Sequence, residues 1–211
     1  MMDLGVLKES VIKGDVSKVK ELVQAALTKG IAIEEILNSA LIAAMTDVGK
    51  WFERKDFFLP EVLFAARAMR AGMDMLEPHM LSANVEPLGK IILGTVQGDV
   101  HDIGKNLVDI MLKGAGFEVI DLGIEVPPQK FIDAAQEGIR LIGMSALTST
   151  TIPFMQTTIE ALEAAGLKGK VKTMVGGAIV TQSYADRIGA DGYAEDAVSA
   201  VKKAKELLKL V

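Results

Sequence analysis

The sequence predicts an α/β protein with an α-helical N-terminal part: a bundle of about four helices, then a flavodoxin/Rossmann-like, five-stranded parallel sheet. Three observations carry this reading. Apolar residues recur at spacings of three and four until about residue 80. The stretch Ala83-Asn84-Val85-Glu86-Pro87-Leu88-Gly89 then breaks the periodicity with a proline and a glycine and reads as a linker. Beyond it, short runs with β-branched residues alternate with helical segments, the pattern of a parallel sheet covered on both faces. The expected boundary gives a helical domain 1–86 and an α/β domain 87–211.

In the helical part, Asp15 follows Gly14 and can cap a helix running towards Lys29, which Gly30 stops. Ile33, Ile36, Leu37, Ala40, Leu41, Ala44, Met45, Val48 and Phe52 then mark one apolar face of a long helix. A further helix starts near Pro60, since proline is tolerated in a first turn. Its expected face is Val62, Leu63, Ala66, Met69, Met73, Leu76 and Met80. In the α/β part, strands are expected at Ile91–Val96, Glu118–Leu122, Leu141–Ser145, Val171–Val175 and Gly192–Ala194. Helices are expected at Ile103–Lys113, Gln129–Glu137, Ile152–Ala165, Tyr184–Ile188 and Ala197–Leu210. A flavodoxin-like strand order follows as the first choice.

Composition removes several function classes. The chain has 211 residues and no cysteine, which excludes disulfides, thiolate metal sites and cysteine nucleophiles. The net charge of −5 argues against nucleic acid as a partner. No run approaches the roughly 18 apolar residues of a membrane span, and no export signal is read at Met1-Met2-Asp3, so a cytoplasmic protein is expected. Only two histidines, His79 and His101, can supply imidazole. His79 is read as a histidine at a helix C-terminus.

In an open parallel sheet, ligands bind beyond the carboxyl ends of the strands. Four loops there stand out. In Gly98-Asp99-Val100-His101-Asp102-Ile103-Gly104, a carboxylate two residues before a histidine can orient and polarise it, as around metal-binding imidazoles. Gly98 and Gly104 permit close backbone approach or positive φ. The same residues would also make a capped turn with a surface histidine. Ser145-Ala146-Leu147-Thr148-Ser149-Thr150-Thr151 places hydroxyls where they could line a polar pocket or simply cap a helix. Gly176-Gly177 admits bulk against the backbone or makes a turn. Tyr193 to Ala197 runs from a strand into the last helix, with Asp196 as an N-cap in the alternative. No Walker loop, dinucleotide fingerprint or nucleophile elbow is present.

Together these residues resemble the cobalamin-binding module shared by methionine synthase and the corrinoid proteins of anaerobic methyltransferase systems. The signature stands here as Asp99-x-His101-x-x-Gly104, Ser145-x-Leu147 and Gly176-Gly177. The likeness extends to Val48-Gly49-x-Trp51-Phe52 and Phe58-Leu59-Pro60-Glu61, similar to the helical cap of the methyl-carrying members, so it spans nearly the whole chain. It implies a corrinoid cofactor whose cobalt takes His101 as lower axial ligand. Asp99 would accept the other imidazole N–H, and Thr151 would extend that relay. The loop from Gly98 through Val100, Asp102 and Ile103 to Gly104 would meet the cofactor. Ser145, Leu147 and Ser149 would line the pocket for its nucleotide tail. Gly176 and Gly177 would let the tail pass, so a side chain there should obstruct the nucleotide rather than the sheet. Tyr193 to Ala197 would close the far end, and Phe58 and Leu59 would cover the upper face.

The implied function is that of a methyl carrier, not catalytic by itself. It would accept a methyl group on Co(I) from a substrate:corrinoid methyltransferase and deliver it to a second methyltransferase serving tetrahydrofolate or coenzyme M. A reductive activase would be a further partner. The donor stays open among methanol, methylamines, betaines and aryl methyl ethers. Two related readings compete. Trp51-x9-Glu61 is similar to the cap of cobalamin-dependent sensors, although Val62 stands where those carry histidine. Mutase small subunits share the Asp-x-His-x-x-Gly module, but the Phe-Leu-Pro cap would occlude an adenosyl group.

Overall fold

The computed structural model describes residues 3–80, 86–135 and 138–210. Ala83, Asn84 and Val85 of the expected linker lie outside the described residues, as do Gln136 and Glu137 at the expected end of one helix. The chain divides into two compact units, Met1–Pro87 with Gly114–Gly116, and Leu88–Lys113 with Phe117–Val211.

In the helical unit, α1 (Leu4–Ile12) and α2 (Val16–Thr28) each start at an aspartate whose side chain accepts an N–H of the first turn, Asp3 from Gly5 and Asp15 from Lys18. The long helix runs as α3 (Ile33–Ile36), a π-helical stretch (Leu37–Ile42) and α4 (Ala43–Glu53). The π turns were not legible from the spacing, because Ile36, Leu37, Ala40, Leu41, Ala44, Met45 and Val48 are buried just as an α-helical stripe would be. The last helix is α5 (Leu59–Met80), with His79 in its final turn. One expectation fails on α5. Leu63, expected inside, is 44% exposed, whereas Val62, Met69 and Leu76 are buried as expected and are joined by Ala65, Ala68 and Gly72. Small residues explain the shift. A Cβ at Gly72 would stand 3.1 Å from a Leu41 methyl carbon and 3.2 Å from one of Val19, so the helices already meet closely there. A face centred on small residues turns Leu63 outward.

The second unit alternates strictly: β1 (Lys90–Thr95), α6 (Ile103–Gly114), β2 (Glu118–Asp121), α7 (Pro128–Ala134), β3 (Ile139–Ser145), α8 (Pro153–Ala164), β4 (Lys172–Gly176), α9 (Gln182–Ile188), β5 (Gly192–Ala194) and α10 (Ala197–Leu207). The strands pair in parallel in the order β2-β1-β3-β4-β5, which is the flavodoxin-like order. Helix α10 stops short of Leu210 because Lys209 takes a left-handed φ of 56°. Among the described residues no helix is long and apolar enough to cross a membrane.

β1 lies inside the sheet and is buried from Ile91 to Thr95. Gly94 has no side chain because Phe131 of α7 occupies that space; a Cβ would stand 2.7 Å from its ring carbon Cζ. Phe131 is fully buried in the core with Ile92, Val96, Val126 and Ile142. This packing sets the height at which β1 ends. Phe131→Ala should therefore lower the stability of the α/β unit by about 3–5 kcal/mol. Urea unfolding followed by circular dichroism measures this, and an unchanged midpoint would show that α7 does not anchor β1.

Candidate functional site

The sheet register puts the three sequence motifs on one row. Thr95 at the end of β1 pairs with Ser145 of β3, Ser145 with Gly176 of β4, and Gly176 with Ala194 of β5. Parallel pairing makes the loops that follow emerge at one edge, so residues far apart in sequence converge.

The loop after β1 turns at Gly98, whose φ of 78° suits glycine. The turn sends Asp99 inward, and its side chain has no exposure. One carboxylate oxygen accepts the backbone N–H of His101 at 3.0 Å and lies 2.8 Å from its ring Nδ1. The other accepts the N–H of Leu147 at 2.8 Å and the hydroxyl of Thr151 at 2.5 Å. Burial alone would raise the Asp99 carboxyl, but the hydrogen bonds from Leu147, Thr151 and His101 outweigh it and hold Asp99 well below the usual carboxylate range. An ionised carboxylate can only accept, so Nδ1 of His101 carries a proton, which in the neutral imidazole puts the lone pair on Nε2. The His101 side chain is 48% exposed. Thr151 is itself held by Thr148, hydroxyl to hydroxyl at 2.7 Å.

His101, Asp99 and Thr151 thus come together, as do Leu147 through its N–H and Ser145 through the shared row. Val100 and Ile103 are 55% and 73% exposed on either side of His101. Asp102 precedes α6 and accepts the Asn106 amide at 3.0 Å. Gly104, unlike Gly98, has no left-handed φ; beyond its chain neighbours and the backbone of its own helix, nothing lies within 4 Å of where its Cβ would be. Ser149 is exposed and Tyr193 half-buried. Burial raises the Tyr193 phenol, as do the neighbouring charges of Glu195 and Asp196. Ala197 is only 3% exposed, so its side chain belongs to the core rather than to a binding surface. In the helical unit Phe58 is 64% exposed and Leu59 opens α5.

The glycine pair needs correction. A Cβ at Gly177 would sit 2.0 Å from the carbonyl oxygen of Ala146, and φ there is 136°. A Cβ at Gly176 would lie 2.8 Å from that of Ala194. Both glycines serve the close approach of the protein's own strand ends, so a side chain would disturb the fold before it met any ligand.

Sequence reading missed the loop after β2. All parallel strands end at the same edge, so this loop had to belong with the others. It brings Ile124, 43% exposed, and Glu125, whose N–H donates to the Asp99 carbonyl at 3.0 Å. After β4, Ile179 is also 43% exposed. With Val100, Ile103 and Leu147 these residues give the loops at the carboxyl edge, where His101 also stands, an exposed apolar rim. Among the described residues no group of three or more His, Asp or Glu converges as a metal cage. A metal at His101 must bring its remaining ligands with it, as a macrocycle does, and the apolar rim suits such a group.

Known proteins resemble the chain over nearly its whole length. Residues 89–202 and 5–77 each match a family model described as a B12 binding domain. The chain is 48% identical over 212 residues to dimethylamine corrinoid protein 3 of Methanosarcina acetivorans, covering 99% of this chain and 100% of that one. It is similar to a solved cobalamin-binding protein from Desulfitobacterium hafniense, with TM-score 0.79, 33% identity and coverage of 98% and 99%. It is also similar to a chain of the methanol:cobalamin methyltransferase complex from Methanosarcina barkeri, with TM-score 0.87, 29% identity and coverage of 97% and 79%.

Two outcomes follow from the geometry alone. Asp99→Asn replaces one accepting oxygen by a donor among donors and should cost about 2–3 kcal/mol at neutral pH. The depressed Asp99 contributes its stability in full above the unfolded carboxyl value of 3.8 and loses it as pH falls below. The gap between wild type and Asp99→Asn, measured by urea unfolding at several pH values, should therefore narrow only on acidification below that value; a constant gap would contradict the assignment. Gly177→Ala should destabilise the cofactor-free protein by about 1–3 kcal/mol, and an unchanged melting curve would return this glycine to a purely ligand-facing role.

Proposed function

The chain belongs to the family of B12-binding domain proteins, and from that membership we propose that His101 is the lower ligand of a corrinoid on which methyl groups from a methylated amine, dimethylamine first, are carried. The protein is the corrinoid-binding methyl carrier of a methyltransferase system. The observation that carries the ligand assignment is the His101–Asp99 pair: a buried, ionised carboxylate holds Nδ1 and leaves Nε2 on a half-exposed ring.

A bound corrinoid supplies a cobalt centre that takes up and gives back a methyl group. The chain's own residues do the rest. His101 would offer Nε2 to the metal. Asp99 makes that nitrogen a stronger donor by accepting the proton-bearing side of the ring. Thr151 and the Leu147 N–H keep the carboxylate from rotating away. Val100, Ile103, Ile124, Leu147 and Ile179 would keep water from an apolar ligand face. Ser145 and Ser149 would receive a polar tail. Phe58 and Leu59 are the helical unit's candidates for apolar contact with the cofactor.

The chain works with a methyltransferase. We assign the loading step to a substrate-specific amine:corrinoid methyltransferase, the unloading step to a second one serving tetrahydrofolate or coenzyme M, and reactivation to a reductive activase. A cytoplasmic setting belongs to the same proposal.

Loading the purified protein with hydroxocobalamin tests this. Wild type should show the Co(III) absorption of an imidazole-ligated corrinoid, whereas His101→Ala should retain corrinoid but shift to the base-off spectrum. After reduction of the cobalt to Co(I) by an added low-potential reductant such as Ti(III) citrate, and with dimethylamine and a dimethylamine:corrinoid methyltransferase, wild type should be methylated at a rate that His101→Ala loses by more than about tenfold. Identical spectra would remove His101 as the ligand, and methylation by a methanol-specific enzyme instead would overturn the amine assignment.

A further inference from the structure

Lys105 is 3% exposed, and the chemistry above leaves it without a role. Its ammonium donates to Asp121 at the end of β2 and to the side-chain oxygen of Asn106 at 2.7 Å. Burial would raise the Asp121 carboxyl; the hydrogen bonds from Lys105 and from the Gly123 N–H lower it further than that. Lys105 is buried while the Asp121 side chain is 32% exposed, and desolvation of the ammonium offsets much of the attraction, so the pair adds little net stability. It does impose direction.

The direction is visible in the bonds that follow. Asp121 accepts the N–H of Gly123 at 2.9 Å. Gly123 accepts the N–H of Thr95 at 3.0 Å through its carbonyl. The Thr95 hydroxyl donates to the carbonyl of His101 at 3.1 Å. Four residues after His101, the chain returns to Lys105. These bonds form a closed circuit through the ends of β1 and β2 and the first turn of α6, and the His101 backbone is one of its corners. A branch runs from Lys105 through Asn106 to Asp102, the residue next to His101. The Asp99 contacts fix the ring, while this circuit fixes the backbone from which the ring projects.

We propose that Lys105 is a positioning residue that sets the reach of the His101 imidazole, acting through Asp121, Gly123 and Thr95. The inference rests on the reading of His101 as the lower ligand. It predicts that loss of the ammonium leaves the fold and cofactor uptake in place but lowers His101–cobalt association by about 10- to 100-fold, the range for residues behind a metal ligand.

The test uses the full chain loaded with hydroxocobalamin. It compares wild type, His101→Ala, Lys105→Met and the double variant Lys105→Met/Asp121→Leu. The readouts are Co(III) absorption, nitrogen hyperfine splitting in the paramagnetic resonance of the reduced Co(II) form, and urea unfolding of the cofactor-free proteins. Both lysine variants should bind corrinoid yet shift towards the His101→Ala spectrum. The double variant should unfold close to wild type, because no buried charge is left alone. Recovery of wild-type ligation in the double variant would reduce the pair to a stabilising contact and overturn the proposal. If Lys105→Met does not fold, the double variant decides the matter by the same spectra. Wild-type ligation in Lys105→Met, with His101→Ala clearly different, would sink the lysine inference alone. Coincidence of wild type with His101→Ala would instead remove the ligand reading and the inference together.

Discussion

Asp99 is an ionised carboxylate with no exposure to water, and the loops leaving β1, β2 and β3 close around it. A charge in that position costs several kcal/mol unless donors surround it. Here His101 donates from the backbone and faces it with its ring, Leu147 donates from the loop after β3, and Thr151 donates from a hydroxyl that is itself held by Thr148. The loops after β1 and β3 are tied to each other through one carboxylate that cannot be left unpaired, and the loop after β2 joins them through the Asp99 backbone carbonyl. Movement of any of them exposes the carboxylate to an apolar interior. That constraint gives the imidazole a single tautomer and a single orientation, and the rest of the site is arranged around it.

The strand order supplies the place for such a constraint. β1 sends its connection to β2 on one side, while β3 and then β4 build out on the other. The loops after β1 and β3 therefore diverge, and a crevice opens between them at the carboxyl edge. Asp99 comes from one of these loops, and Leu147 and Thr151 from the other. The apolar side chains Val100, Ile103, Ile124, Leu147 and Ile179 would be an anomaly on an ordinary surface. On the edge where a half-exposed imidazole also stands, they are the expected boundary of a large, flat, mostly apolar ligand.

Close backbone approach is the second physical theme. In the helical unit it occurs at Gly72, against Leu41 and Val19, and decides which face of α5 is buried. In the α/β unit it occurs at Gly94, under Phe131, and at Gly176 and Gly177, where the carbonyls of Ala194 and Ala146 leave no room for a Cβ. A glycine pair at a strand end next to a binding site invites a ligand-facing explanation, yet here the neighbouring strands are enough to require it. The two explanations differ in what a methyl group does to the protein when no cofactor is present.

From sequence alone, the alternation of helix and strand and the strand-end motifs were sufficient for a helical N-terminal region, the parallel sheet and the corrinoid resemblance. Periodicity and turn chemistry are local properties, and local properties survive in a linear string. Asp99 and His101 were legible because they stand two residues apart, and Ser145-x-Leu147 and Gly176-Gly177 because they punctuate strands. What only the tertiary structure decided depends on residues that are distant in sequence and adjacent in space. Lys105 carries no local signal in the string; that it is buried and paired with Asp121, sixteen residues on, emerges only in the fold. Ile124 and Glu125 sat in an unremarked loop until the register of β2 beside β1 carried them to the Asp99 carbonyl. Leu63 read as core because hydropathy counts apolar atoms, whereas packing of Gly72 against Leu41 sets which side of the helix can approach its neighbours. Burial and ionisation are properties of a neighbourhood, and the neighbourhood exists only after the chain has folded.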